Sequence, residues 1–412
     1  MTMLIDYADL GCAEVVNSSR AAAYVRAHCL PVDCEDCPSL PQALGHAPYT
    51  NPSGDDAPWY DPNIPESAGF LGVMGLDAAG FQASTVSRSP VQLVGDGAAL
   101  GIVRRAHREI AYTVLLIAVD ECALSYGLAW LSSALDGAGC GGTCTGETLT
   151  TFACCPTGDG SAQRRYLYDV ALLEGPKVTE AEYLAEAIIA KVEFVLGAAK
   201  PWIFRDPLPG TTVWSQLAAG AQVTLDPDAI YGLCVEPGDC LDDPACPPPA
   251  LPVRPPVPVD ACYPSGSATF RRTVISIPPT DMYQWLEAVP ILELETGASD
   301  LRRLIVRLRP NVLGDCSLSP DPCGICSDIQ IPYLPAGSTL RVDGRVQRAE
   351  VQCNAAGTAT SAPLVYGRQG HAFEWPVFDC PTGLCIEILS TAATTASDAR
   401  ARVLLTARAD AG

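Results

Sequence analysis

The chain has 412 residues, enough for two or three domains, and 48% of them are apolar, so it buries a full core. A net charge of −21, with only three lysines (Lys177, Lys191, Lys200), argues against a basic face that would grip a nucleic-acid backbone or anionic lipid. Thirty-six Pro and 35 Gly beside only 18% charged residues point to many turns and a mainly β, β-rich α+β architecture rather than helical bundles.

Residues Met1 to Asp6 show no charged n-region ahead of an apolar stretch, and the longest apolar run, Ile110 to Val119, is about half of what a bilayer requires. Folding in a cytosol is the expectation. Residues 38–66 are too rich in Pro and Gly for regular structure, yet carry Trp59 and Tyr60 at their centre. Large aromatics in a long loop dock on something, either the chain's own core or a neighbouring subunit, so Trp59 and Tyr60 mark a candidate subunit-contact loop. Glu109 to Val119 is apolar on both faces and predicts a strand covered on both sides. Leu124, Leu128, Leu131 and Leu135 then fall at helical spacing until Gly137, with Tyr126 and Trp130 forming a second apolar ridge. A Cys/Gly-rich loop follows over 137–160. Tyr166–Leu173 and Val192–Leu196 read as strands, with Thr179-x-x-Glu182 as a capping box for a short helix between them.

From Pro237 to Pro264 there are ten prolines in 28 residues, which no helix or central strand tolerates. This Pro-rich connector divides the chain into a first part, 1–236, and a second, 265–412. In the second part, 268–277, 291–295, 302–308, 339–342, 348–351, 385–390 and 402–407 are strand candidates separated by turns such as Thr296-Gly297 and Asp343-Gly344, as in a two-sheet β-sandwich of jelly-roll or galectin-like type. Arg302, Arg303, Arg307 and Arg309 interleave with Leu304, Val306 and Leu308, which predicts one solvated sheet face.

Of nineteen cysteines, sixteen fall in close sets: Cys29, Cys34 and Cys37; Cys140, Cys144, Cys154 and Cys155; Cys234, Cys240, Cys246 and Cys262; Cys316, Cys323 and Cys326; Cys380 and Cys385. Disulfides formed after release from a cell, structural metal and plain thiols are the three readings. The two CxxC pairs (Cys34/Cys37 and Cys323/Cys326) lack the second pair a zinc ribbon needs, and neither opens a helix after a strand as redox catalysis demands. No nucleophile elbow, HExxH, phosphate loop, dinucleotide fingerprint or EF-hand is present. Only His28, His46, His107 and His371 could serve as imidazole bases, and Asp55-Asp56 and Asp242-Asp243 read as solvated loop carboxylates. No catalytic, cofactor or metal site is expected.

Four groups of segments carry a family resemblance. They are Asp56-Ala57-Pro58-Trp59-Tyr60-Asp61-Pro62 with Phe70-Leu71-Gly72; Arg108-Glu109-Ile110 through Tyr126-Gly127-Leu128-Ala129-Trp130-Leu131; Tyr168-Asp169-Val170, Glu174-Gly175-Pro176, Val192-Glu193-Phe194 and Pro201-Trp202; and Ala288-Val289-Pro290-Ile291, Arg309-Pro310-Asn311, Tyr333 to Thr339 and Phe373-Glu374-Trp375-Pro376. In this order, over about residues 56–390, the chain resembles the minor tail proteins of long-tailed actinobacterial phages, a distal tail protein-like group. The resemblance implies a non-enzymatic hub at the tail tip of a siphophage virion, assembled in the host cytoplasm. Its first domain would form a homohexameric ring joining the tail tube protein to the tape-measure and other tail-tip proteins, with the sandwich projecting outward. A receptor- or glycan-binding protein that touches the host surface through the sandwich is the alternative, with Trp375 and Phe378 either stacking on a ligand or packing in the core.

Overall fold

Strands dominate the chain, as its composition predicts. The computed structural model describes residues 4–30, 37–82, 84–137, 146–184, 186–225, 268–311, 316, 327–353, 357–362, 365–367, 372–378 and 383–410. The Pro-rich connector lies outside these described residues. Residues 1–206 with 408–412 form one compact unit and residues 207–407 a second.

The first unit opens with β1 (Tyr7–Leu10) and β2 (Ala13–Asn17), and runs directly into α1 (Ser18–Ala27). Asn17 starts that helix because its side-chain oxygen accepts the Arg20 N–H at 3.0 Å. Two single-turn helices, α2 (Leu40–Ala43) and α3 (Glu66–Gly69), bracket a loop of turns, so the 38–66 stretch holds one short helical turn that its composition did not suggest. Then come β3 (Phe70–Ala79), four short strands β4 (Val86–Ser87), β5 (Pro90–Gln92), β6 (Ala98–Leu100) and β7 (Arg104–Arg105), and β8 (Arg108–Ala118). The predicted helix is α4 (Glu121–Leu135), capped by Asp120, which accepts the Ala123 N–H at 2.8 Å, and followed by Gly137 at φ +75°. Finally β9 (Glu147–Phe152), β10 (Arg164–Tyr183), β11 (Ile188–Ala198) and β12 (Ile203–Pro207) complete the unit.

These strands form an antiparallel sheet in the order β2-β1-β9-β10-β11-β8-β3. Two local readings are corrected. β8 is not covered on both faces along its length: Glu109 and Ala111 are exposed, and only its last three residues are buried on both sides. Thr179-x-x-Glu182 starts no helix. β10 continues to Tyr183, and the Thr179 hydroxyl donates to the Lys191 carbonyl on β11 at 3.3 Å. Cross-strand pairing supplies the backbone bonds that the capping motif would have supplied.

At the β1–β2 hairpin Asp9 stands opposite Glu14, a like-charge cross-strand pair. Burial first, and the Glu14 charge second, raise the Asp9 carboxyl from 3.8 to about 6. A folded-state value above the unfolded one means the ionised form is penalised only in the native chain. That penalty is absent below about pH 4 and complete above about pH 6. Asp9→Asn is therefore expected to stabilise the protein at pH 8 by on the order of 1–2 kcal/mol and to leave it unchanged at pH 3.5. Denaturant titrations at the two pH values check this, and equal effects at both would sink it.

The second unit contains β13 (Ser215–Gln216), β14 (Ala221–Leu225), β15 (Ala268–Ile277), β16 (Glu287–Glu295), β17 (Leu301–Pro310), β18 (Ser327–Leu334), β19 (Thr339–Asp343), β20 (Arg348–Gln352), β21 (Thr360–Ser361), β22 (Leu384–Thr391) and β23 (Arg400–Ala409). One sheet runs β14-β15-β22-β17-β18 and the facing strands run β23-β16-β19-β20-β21. Leu304, Val306, Ile386 and Ile388 from the first meet Leu292, Leu294, Leu340, Val403 and Leu405 from the second in one core, which makes the unit a two-sheet sandwich. β14 precedes the Pro-rich connector yet pairs with β15 beyond it.

The expected solvated arginine face is not solvated at Arg307. Its side chain is 1% exposed and lies in register between Asp328 on β18 and Glu387 on β22, both also buried. Arg272 on β15 donates to Glu387 from the next strand. A row of alternating charges thus crosses four strands beneath cover, and of the predicted face only Arg302 is largely exposed, at 63%.

Candidate assembly surface

Residues 84–107 leave the first unit as a two-stranded β arm. β4 pairs with β7 and β5 with β6, and the turn closes with Leu93 N–H donating to the Gly97 carbonyl at 3.2 Å. Gly97 takes φ +99°, a conformation that side chains resist, and Gly101 approaches Ser89 so closely that a Cβ would lie 2.6 Å from its carbonyl oxygen. The sequence V-Q-L-V-G-D-G-A-A-L-G-I-V, apolar on both sides of a Gly-Asp-Gly turn, has the local pattern of a hairpin.

The root of the arm is clamped. Asp410 accepts the Ser84 N–H at 3.0 Å and the Ser84 hydroxyl, and pairs with Arg105 at 3.3 Å. Arg108, 1% exposed, donates to the carbonyls of Gly80, Pro201 and Asp410. The Arg105 and Arg408 guanidinium groups sit 4.7 and 4.1 Å from the Trp202 ring. Burial alone would raise the Asp410 carboxyl; the Ser84 hydrogen bonds and Arg105 hold it below the usual carboxylate range.

Beyond its root the arm has little cover. Val91 is 64% exposed, Leu100 69%, Ile102 87%, and Val94 is fully open. Isolated two-stranded ribbons are marginal in water. This one displays aliphatic side chains worth about 1.5–3 kcal/mol each if buried. The arm also carries Arg88, Arg104 and Arg105 against one acid, Asp96, in a chain whose net charge is −21.

The far half of β10 also runs without a second neighbour, and it is a poorer surface for strand addition. Beyond Val170, β10 pairs only with β11 among the described residues, but this stretch is interrupted by register shifts and studded with Glu174, Lys177, Glu180 and Glu182. Bulges and charges of this kind blunt an edge against strand addition.

The predicted residues are placed as follows. Trp59 is 3% exposed: its indole N–H donates to the Phe70 carbonyl at 2.8 Å, and its ring meets those of Phe70, Trp130 and Tyr24 edge-on. Tyr60 is half-buried against the same core. Cys37 is joined to Cys155 across 118 residues and Cys316 to Cys385 across 69, so the bridges link different sets. Cys29, Cys154, Cys122 and Cys353 are exposed free thiols. Cys34, Cys140, Cys144, Cys323, Cys326, Cys380 and the connector cysteines (Cys234, Cys240, Cys246, Cys262) lie outside the described residues. Phe378 is 9% exposed and exchanges backbone bonds with Ala288, whereas Trp375 is half-buried with Phe373.

Around the three described histidines no arrangement for chemistry assembles. His46 Nδ1 meets the Tyr49 hydroxyl at 2.6 Å, His107 meets Glu109 at 3.0 Å on the surface, and His28 closes α1 through its backbone N–H. His371 and Asp242-Asp243 lie outside the described residues. Asp55 caps a turn by accepting the Thr50 and Asn51 N–H groups and the Thr50 hydroxyl; these bonds outweigh the upward push of burial and hold its carboxyl below the ordinary range. Among the described residues, no three His, Cys, Asp or Glu side chains are grouped to hold a metal ion, and no helix is long and apolar enough to cross a membrane.

No protein-family model matches the chain, and no curated protein matches it in sequence. Among solved structures, it is similar to SPP1 Dit, described as a paradigm of the hub adsorption apparatus in phages that infect Gram-positive hosts, at 9% identity and a TM-score of 0.36, covering 81% of this chain and 93% of that one. It is similar also to a chain of the phage p2 baseplate in its activated conformation, with strontium and with calcium, at 12% identity and a TM-score of 0.40, covering 82% of this chain and 92% of that one.

Proposed function

We propose that the chain is a structural component of a siphophage tail tip, a distal tail protein-like hub whose copies close into a ring through the β arm of the first unit. The ring, of six copies as the sequence resemblance implies, joins the tail tube protein to the tape-measure and other tip components. The reading rests on the ordered segments between residues 56 and 390, and one observation of the molecule carries it: the clamped arm over 84–107 with its uncovered aliphatic side chains. Association costs about 4–15 kcal/mol, comparable to what one arm returns on burial. A pair sharing a single arm is then marginal. In a closed ring every copy gives one arm and receives one, so no interface is left open. The work of such a protein is done by fit and needs no bond-breaking centre.

Light scattering on the purified full chain tests this. The wild type is expected to form a defined oligomer, and the Val94→Asp, Ile102→Asp double variant to remain monomeric with an unchanged thermal transition. Both positions are open to solvent in the single chain, so folding is untouched. A wild type that stays monomeric at all concentrations, or a double variant that assembles as the wild type does, refutes the arm as the joint. Absence of the protein from the tail end of labelled particles refutes the location.

A further inference from the structure

The arm over 84–107 belongs to the first unit, yet part of what holds its root comes from the far side of the chain. Residues 408–410 follow the whole of the second unit, 207–407, and return to the first. They are delivered by β23, whose Ala401, Val403 and Leu405 are buried in the sandwich core, and Asp410 is the next residue after that strand. One carboxylate there serves both sides of the root. Asp410 accepts the Ser84 N–H and hydroxyl where the arm begins, and pairs with Arg105 where the arm ends. Arg408 lies over the Trp202 ring that Arg105 also covers. Arg108, 1% exposed, has Asp410 as its counter-charge; its other partners are the carbonyls of Gly80 and Pro201.

Without this segment Arg108 is a buried charge facing dipoles alone, which is costly. The root would then keep only the β4–β7 ladder, two residue pairs long. A ribbon joined so briefly does not offset the entropy of ordering it. We propose that residues 408–410 are a latch that makes the arm's posture conditional on a folded second unit. The arm is set only once β23 has taken its place in the sandwich and carried Asp410 back to the root. A copy whose sandwich is unfolded then carries a loose arm, which must be ordered at the moment of docking and binds more weakly by that cost. Incompletely folded copies are thereby kept out of the ring. This condition rests on the arm being the joint between copies, and it adds when that joint is ready to form.

Amide exchange on the full-length Val94→Asp, Ile102→Asp chain reads the latch without contacts between copies. Adding Asp410→Ala is expected to speed exchange at 84–87 and 104–106 by about tenfold or more. Should that variant fail to fold, Ser84→Ala with Arg105→Met removes the latch from the arm's side, leaves Arg108 its counter-charge, and carries the same expectation. Arg307→Met, which touches none of the clamp residues, is expected to speed exchange at 384–391 and at the root together. In the otherwise wild-type chain, Asp410→Ala is expected to raise the concentration for half-assembly about tenfold. Root exchange unchanged on loss of the latch, a root that stays protected in Arg307→Met while 384–391 opens, or assembly of the Asp410→Ala chain at the wild-type concentration overturns the proposal. A wild type that never assembles refutes the arm as joint instead, and leaves the exchange results to be judged separately.

Discussion

Arg307→Met is expected to destabilise the second unit by about 3–5 kcal/mol, most of the margin by which a domain of this size stays folded. The side chain is 1% exposed, Asp328 beside it is fully covered, and Glu387 on the opposite strand is 1% exposed. Methionine fills similar volume, so packing changes little. What changes is charge: Asp328 loses a guanidinium 3.7 Å away, in a buried medium where the loss of a counter-charge is costly. Arg272 remains to hold Glu387, so the larger part of the penalty falls on Asp328. Two controls separate this account from simple loss of contacts. Arg307→Met combined with Asp328→Leu removes the carboxylate along with its counter-charge and is expected to recover much of the loss, whereas Arg302→Met, on an exposed side chain, is expected to cost less than about 1 kcal/mol. Hydrogen exchange resolved to 301–310 and 384–391 is the suitable measurement, because a chain with two units gives no single unfolding free energy. A loss below about 1 kcal/mol for Arg307→Met would show that water or another group already serves Asp328.

Arg307 also shows where sequence reasoning ends. Alternation along 302–308 fixes which residues share a face, and Leu304, Val306 and Leu308 do turn to the core. Whether the opposite face meets water depends on elements remote in sequence, which periodicity does not report. The seven strands expected in the second unit are present because each carries its own local signal. β18 carries a weaker signal, because Pro332 interrupts a run that otherwise alternates, and a proline, having no N–H to give, fits a strand only where the ladder asks for no donor. The 121–135 helix was legible from leucine spacing and its terminal glycine, while Thr179-x-x-Glu182 had the residues of a cap but lay in a strand already paired along its length. The disulfides join cysteines 118 and 69 residues apart, a pairing that no spacing encodes. The arm over 84–107 carries a local turn signal, but its apolar residues serve no core of this chain, so no core-facing periodicity marks its extent.

Trp59→Ala is expected to cost about 3–5 kcal/mol and to lower the transition of the first unit by roughly 10 °C. The indole fills space between α1, the start of β3 and α4, with ring centres 6.2, 5.2 and 5.5 Å from those of Tyr24, Phe70 and Trp130. Its neighbours have little freedom to close the void. Gly72, at φ +117°, has its backbone so near the indole that a Cβ would stand 2.8 Å from Cη2, and a Cβ on Gly127 of α4 would lie 2.3 Å from the Phe70 ring. Helix, strand and loop are thus already at closest approach, and the alanine variant leaves a cavity as well as a Phe70 carbonyl without its indole donor. Trp59→Phe keeps much of the volume and loses the N–H, so its expected cost is nearer 1 kcal/mol. The loop over 38–66 is pinned at this point, with the Tyr126 hydroxyl donating to the Trp59 carbonyl at 2.6 Å. Alanine should therefore also open the loop to limited proteolysis. The two roles open for this aromatic give opposite results. A ring serving a neighbouring copy would leave the thermal transition of the monomeric Val94→Asp, Ile102→Asp background unchanged on truncation, while a ring serving the chain's own core lowers it in that same background. The burial of Trp59 requires the second outcome, and an unshifted transition there would overturn it.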